Sequence, residues 1–96
     1  MIKIVAKNII KAGKVDEFIT VAKNLVHETI QNDTGCIHYE LYQDISNPNI
    51  LTIIEEWENK AALEQHMSAK HFKEATALLK DFVEKPGEAN LYRKLA

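Results

Sequence analysis

The stretch Leu51-Thr52-Ile53-Ile54-Glu55-Glu56-Trp57-Glu58-Asn59-Lys60-Ala61-Ala62-Leu63-Glu64-Gln65-His66-Met67-Ser68-Ala69-Lys70-His71-Phe72 decides the fold of this chain. Its β-branched opening, Leu51 to Ile54, favours a strand and runs into Trp57. Asn59 then suits an N-cap, since its side-chain oxygen can take an orphan N–H of a following helix. From that cap Ala62, Leu63, His66 and Met67 fall close together on one helical side. Ser68 is expected to cap a second helix that carries His71 in its first turn. A bulky aromatic at a strand end thus faces a histidine one short helix away, which makes a wall and a base for a small pocket.

Toward the N-terminus, Ile2 to Ile10 alternates: Ile2, Ile4, Ala6, Asn8 and Ile10 share one face, apolar apart from Asn8. Gly13 separates this strand from a helix with Asp16 and Glu17 in its first turn, where carboxylates favour the positive end of the helix dipole. Val15, Phe18, Ile19, Ala22, Leu25, Val26 and Thr29/Ile30 form its stripe, and Asn32-Asp33-Thr34-Gly35 ends it. Cys36 to Asp44 reads as a second strand with Ile37, Tyr39 and Leu41 on its apolar face. Ser46-Asn47-Pro48-Asn49 is turn chemistry leading to a third strand, Ile50 to Glu58. Beyond Ser68, the positions Phe72, Ala75, Leu78, Leu79, Phe82 and Val83 predict a helical stripe that Pro86-Gly87 stops. Ala89 to Leu95 is a last strand.

This order predicts an α+β, ferredoxin-like β-α-β-β-α-β arrangement, one antiparallel sheet with helices on one face, spanning residues 1–96 as a single domain. The uncovered sheet face would hold Val5, Ile9, Ile54 and Tyr42 beside Lys3, Lys7, Glu40 and Glu56. Such a face is too apolar for water and too charged for a monomer core, so a homodimer packed sheet to sheet is expected.

Composition removes several function classes. Lys and Arg number 12 against 14 Asp and Glu, without a basic block, so no nucleic-acid partner is expected. No apolar run approaches a membrane span, and Met1-Ile2-Lys3-Ile4-Val5 lacks the layout of a signal peptide, so a cytoplasmic protein with no membrane partner is expected. Cys36 is alone, which excludes an intrachain disulfide and thiolate clusters. On one continuous helix His66 and His71 would stand about 140° apart, so no metal site is expected from them. Gly13, Gly35 and Gly87 are isolated, so there is no phosphate loop, dinucleotide fingerprint or flavin site, and no cofactor is expected.

His66 has the strongest functional claim, because an imidazole with an ordinary pKa near 6.5 suits a base at neutral pH. The structural alternative is a half-buried imidazole bonded to a backbone carbonyl. Trp57 is either a core aromatic or the wall of a pocket, and the two are compatible. Asn8, a lone amide on an apolar strand, needs partners if buried, and a substrate oxygen is one option beside Tyr39 or the backbone. Glu55 shares a face with Trp57 by alternation and must be paired or near the rim; it is the reserve base. His71 either supports the start of its helix or joins the pocket. His27 and His38 have no argument beyond residue type.

Gly35-Cys36 with Tyr39 and Tyr42, Glu55-Glu56-Trp57, Ala62-Leu63 with His66, Ser68-Ala69-Lys70-His71-Phe72, and Leu91-Tyr92 carry a resemblance over nearly the whole chain. Together they resemble the antibiotic-biosynthesis-monooxygenase (ABM) family of small dimeric α+β barrels. That resemblance implies a family of cofactor-independent oxygenases of dihydroxy-aromatic or quinol substrates, haem-degrading enzymes, an isomerase of a phosphorylated signalling sugar, and members without assigned activity. Haem degradation is disfavoured: Asn8 matches that branch, but His66 stands where its tryptophan belongs, and Thr76 stands near its iron-ligating histidine.

The resulting expectation is a cofactor-free monooxygenase taking a small phenol or quinol and O2. His66 would remove the phenolic proton, or hold the phenolate with Asn8. Trp57, Tyr39, Leu63 and Phe72 would supply a dry wall, with His71 and Glu55 nearby. The alternatives are an isomerase of a small, phosphorylated or otherwise polar metabolite using His66 and Glu55, and a non-catalytic dimer that binds a small molecule.

Overall fold

Along the third strand the burial rhythm follows the sequence alternation. Leu51, Ile53, Glu55 and Trp57 are buried, while Thr52, Ile54 and Glu56 are only half-buried. A computed structural model describes residues 1–96 as β1 (Ile2–Ile9), α1 (Val15–Asn32), β2 (Cys36–Gln43), β3 (Ile50–Trp57), α2 (Lys60–Ser68), α3 (Lys70–Leu79) and β4 (Glu88–Arg93). The strands form one antiparallel sheet in the order β2-β3-β1-β4, the ferredoxin-like α+β fold, with the second helical segment divided in two. The register sets Ile2 opposite Trp57, Ile4 and Tyr39 opposite Glu55, and Asn8 opposite Leu51.

The core is the layer between this sheet and the helices. Phe18, Ala22 and Leu25 of α1 meet Ile4, Tyr39, Leu51, Ile53 and Trp57 of the sheet, and α2 and α3 add Ala62, Leu63, Ala75 and Leu79. β4 lies outside that cover: all six of its residues are exposed, Leu91 at 60% and Tyr92 at 52%.

Four local expectations are corrected. A bulge between Cys36 and His38 places Cys36 opposite Trp57 and leaves Ile37 36% exposed, so Ile37 does not share the buried face of Tyr39. Ser68 does not cap α3 but is the last residue of α2. Ala69, extended at φ −68°, ψ 144°, separates the helices and makes no side-chain cap bond. The stripe does not continue to Val83, because α3 ends at Leu79 and Val83 forms a bridge with Ile10. Leu78 and Met67, expected on apolar stripes, are 54% and 45% exposed.

Candidate functional site

Asn59 caps α2 as the sequence indicates, its Oδ1 accepting from Ala62 N–H at 2.9 Å. About two turns beyond that cap, His66 enters the core with 1% exposure. Its ring lies 4.6 Å from that of Trp57, 4.7 Å from Phe72 and 5.2 Å from Tyr39, centre to centre. The strand-end tryptophan and the helical histidine are thus in contact.

What the sequence did not reveal is Asp33. It follows α1, where its N–H still bonds Thr29 C=O, and the chain turns at Gly35. Gly35 has φ +83°, and a Cβ there would stand 2.6 Å from the Ala62 Cβ, so both its conformation and its approach to α2 require glycine. That approach carries Asp33 against the second half of α2. His66 Nδ1 lies 2.5 Å from Asp33 Oδ2. His71 Nε2 reaches the same carboxylate, 2.9 Å from Oδ1 and 3.0 Å from Oδ2. The expectation that His66 and His71 diverge assumed one continuous helix. The break at Ala69 removes that premise, and the two rings come within 6.2 Å.

With Asp33 accepting at Nδ1, neutral His66 carries its proton there and its Nε2 is left as an acceptor. That Nε2 is fully buried and has no hydrogen-bond partner. Burial lowers the His66 pKa, opposed by the hydrogen bond and charge of Asp33. The imidazole is therefore held neutral, with a lone pair enclosed by aromatic rings.

Glu55 lies in the same layer, 6% exposed, and its Oε1 accepts from Trp57 Nε1–H at 2.8 Å, the pairing its strand position demands. Burial raises its pKa to about 7, against the lowering effect of that bond. Burial, joined by the charge of Glu55, raises the Tyr39 phenol, and the same two causes push the Cys36 thiol up to about 11. Neither is a ready nucleophile at neutral pH.

Leu63 is buried and Phe72 half-buried beside this cluster. Asn8 is not brought to it: six positions along β1 separate it from Ile2, the partner of Trp57, about 20 Å at the rise of a strand. Its amide instead meets the backbone of Gly87, where a Cβ would stand 2.3 Å from Asn8 Oδ1. His71 alone of the expected residues also lines an open cleft of about 520 Å³ between α1 and α3, with Thr20, Asn24, Glu28 and Glu74.

Asp33, His66 and His71 have the number and type of donors of a three-ligand metal centre, all within 4.8 Å. Here they are engaged with one another. The contacts are those of a hydrogen-bonded triad centred on the Asp33 carboxylate.

An α+β domain with one helix-covered antiparallel sheet defines the fold class. The antibiotic biosynthesis monooxygenase family profile matches residues 1–78, and the chain belongs to that family. An uncharacterised protein of Synechocystis sp. is 34% identical over 94% of this chain, which spans only 61% of that relative's length. The crystal structure of a conserved protein from Methanosarcina mazei Go1 superposes with a TM-score of 0.94 at 46% identity, covering 98% of this chain and 92% of that one. That of an antibiotic biosynthesis monooxygenase superposes at 0.93, with 28% identity and all of both chains covered.

Proposed function

We propose that this domain is a cofactor-independent monooxygenase of a small phenol or quinol, with His66 as general base. One observation carries the reading: the buried, unpartnered Nε2 of a neutral imidazole whose other nitrogen is fixed by Asp33. An unsatisfied buried acceptor costs about 1–3 kcal/mol, which a hydroxyl donor from a substrate would recover. Phe72, half-buried at the start of α3 and 4.7 Å from the His66 ring, is the side chain whose displacement would open His66 to a flat ring.

The steps balance without an added reductant. His66 Nε2 takes the phenolic proton, and the electron-rich phenolate passes one electron to O2. The ring radical and superoxide combine at a ring carbon, and the peroxide takes the proton back. Loss of water across the C–O–O–H group leaves a quinone carbonyl. One oxygen atom enters the product and the other leaves as water. Trp57 and Tyr39 would limit access of water to the radical pair.

Glu55 favours a second reading, since a carboxyl with a pKa of about 7 in the same layer could shuttle protons with His66 in an isomerase of a small polar metabolite. Oxygen uptake separates the two. The protein with a panel of hydroquinones and naphthols should consume one O2 per quinone formed, without added metal or flavin and without hydrogen peroxide. Conversion of a substrate at the same rate under argon would contradict the first reading. Binding without turnover would leave the non-catalytic dimer.

For assembly, we propose a homodimer joined through the outer sheet face. Val5, Ile9 and Ile54 are half-buried there and Tyr42 is 47% exposed. The charges on that face are already matched within the sheet, Lys3 opposite Glu56 and Lys7 opposite Glu88, which lowers the cost of covering them. A few hundred Å² of apolar surface per chain, at ~25 cal/mol/Å², would give several kcal/mol before association costs.

A further inference from the structure

We infer that Asp33 and His71 form a proton wire joining the buried His66 to the cleft between α1 and α3. This rests on the reading of His66 as base. A proton accepted at His66 Nε2 meets Trp57, Tyr39 and Phe72 on the substrate side, none of which accepts a proton near neutral pH. On the other side the imidazole touches one titratable group, the Asp33 carboxylate, through Nδ1. Asp33 is the bridge: both of its oxygens lie within hydrogen-bond distance of His71 Nε2. The His71 side chain is 20% exposed and lines the cleft, whose rim carries Glu28, Lys70 and Glu74.

Both links lie within hydrogen-bond distance, so transfer needs no large movement. Imidazolium at His66 gives its Nδ1 proton to Asp33 Oδ2, and the Asp33 carboxyl then passes it to Nε2 of His71 in its Nδ1–H tautomer, the form that leaves Nε2 free to accept. His71 then releases its Nδ1 proton to water or to a cleft carboxylate. One proton enters at His66 Nε2 and one leaves at His71 Nδ1, and passage in the reverse direction supplies the proton that the peroxide takes back. The return flip of the two tautomers resets the chain. His71 is in this scheme a proton carrier, with no contact to substrate.

The test uses no substrate, so its outcome is separate from the fate of the monooxygenase reading. In the 15N-labelled protein, solvent exchange of the His66 Nδ1 proton is measured by NMR in wild type and in His71→Phe. Exchange should slow at least tenfold in the variant while amide protection of α2 is unchanged. If His71→Phe does not fold, His71→Ala decides: added imidazole, which fits the cleft, should restore exchange in proportion to its concentration. Equal exchange in wild type and a folded variant, or His71→Ala exchange that ignores imidazole, overturns the wire. A wire that passes this test in a protein that turns over no quinol would leave the proton path standing and remove the substrate assignment.

Discussion

Asp33 holds His66 Nδ1 at 2.5 Å across a sequence separation of 33, and that bond determines which imidazole nitrogen faces the aromatic cluster. Replacement by asparagine tests it. An amide offers one acceptor oxygen where the carboxylate offers two and can turn either that oxygen or its N–H2 toward His66 Nδ1, so the tautomer preference of His66 would be lost. Asp33→Asn should lower kcat about 10²–10⁴-fold, the usual contribution of a positioned base, and cost about 1–3 kcal/mol of stability. Turnover and denaturant unfolding of the same preparation give both numbers.

Glu55 and His66 impose opposite pH dependences on stability. Glu55 has a raised folded-state pKa, so its contribution is full below about 4.5 and fades as pH rises through about 7. His66 has a lowered one, so its contribution is present above about 6.5 and fades as pH falls. In wild type the two slopes partly cancel in the overlap. Glu55→Gln keeps an acceptor for Trp57 Nε1–H and removes one slope. The variant should therefore gain stability on wild type as pH rises, by up to about 3 kcal/mol near pH 8. Urea unfolding at pH 5, 6, 7 and 8 reads the difference, and parallel curves would refute the buried-carboxylate assignment.

Ala69 occupies the N-cap of α3 without supplying a cap bond. Ser or Asp there accepts a free N–H of the first turn, and such caps are better than alanine by about 0.5–2 kcal/mol. Ala69→Asp should raise Tm by several degrees in a domain of this size, measured by differential scanning calorimetry. Preserved His66 and His71 side-chain NMR shifts would show that the break between α2 and α3 is set by backbone geometry and not by residue 69.

The broad fold was legible in the sequence, and the local deviations were not, for identifiable reasons. Alternation in β1 and β3 and the α1 stripe reflect burial on one face, a property each residue carries in its own side chain. The bulge at Ile37 depends on how β2 meets the end of β3, a relation between two segments that periodicity within one of them cannot show. Leu78 fits the helical period but falls on the cleft side of α3. In the site, the contact of Trp57 with His66 follows from a strand and a capped helix of fixed length. Asp33 looked like an ordinary turn acid. Its role depends on Gly35 packing against Ala62, a tertiary contact whose only sequence trace is a glycine after a helix. Asn8 shares a sheet face with the site but not an end of the sheet, because alternation sets the face and not the position along the strand.

Ile54 stands on the outer sheet face between Val5 and Glu40 of the neighbouring strands. A carboxylate there would add like charge beside Glu40 and remove apolar area from the proposed seam. Ile54→Glu should shift the protein from dimer to monomer, or unfold it, in sedimentation at micromolar concentration. A wild type that sediments as a folded monomer under the same conditions would contradict the assembly.

Oxygen uptake by wild type and His66→Ala, followed under saturating quinol, reads the role of His66 as base. The folded variant should lose about 10²–10⁴-fold in kcat with a much smaller change in KM. Raising pH toward the pKa of the quinol should restore part of the rate, because solvent then removes the proton His66 no longer takes. Equal turnover by the two proteins at neutral pH would contradict a base at His66.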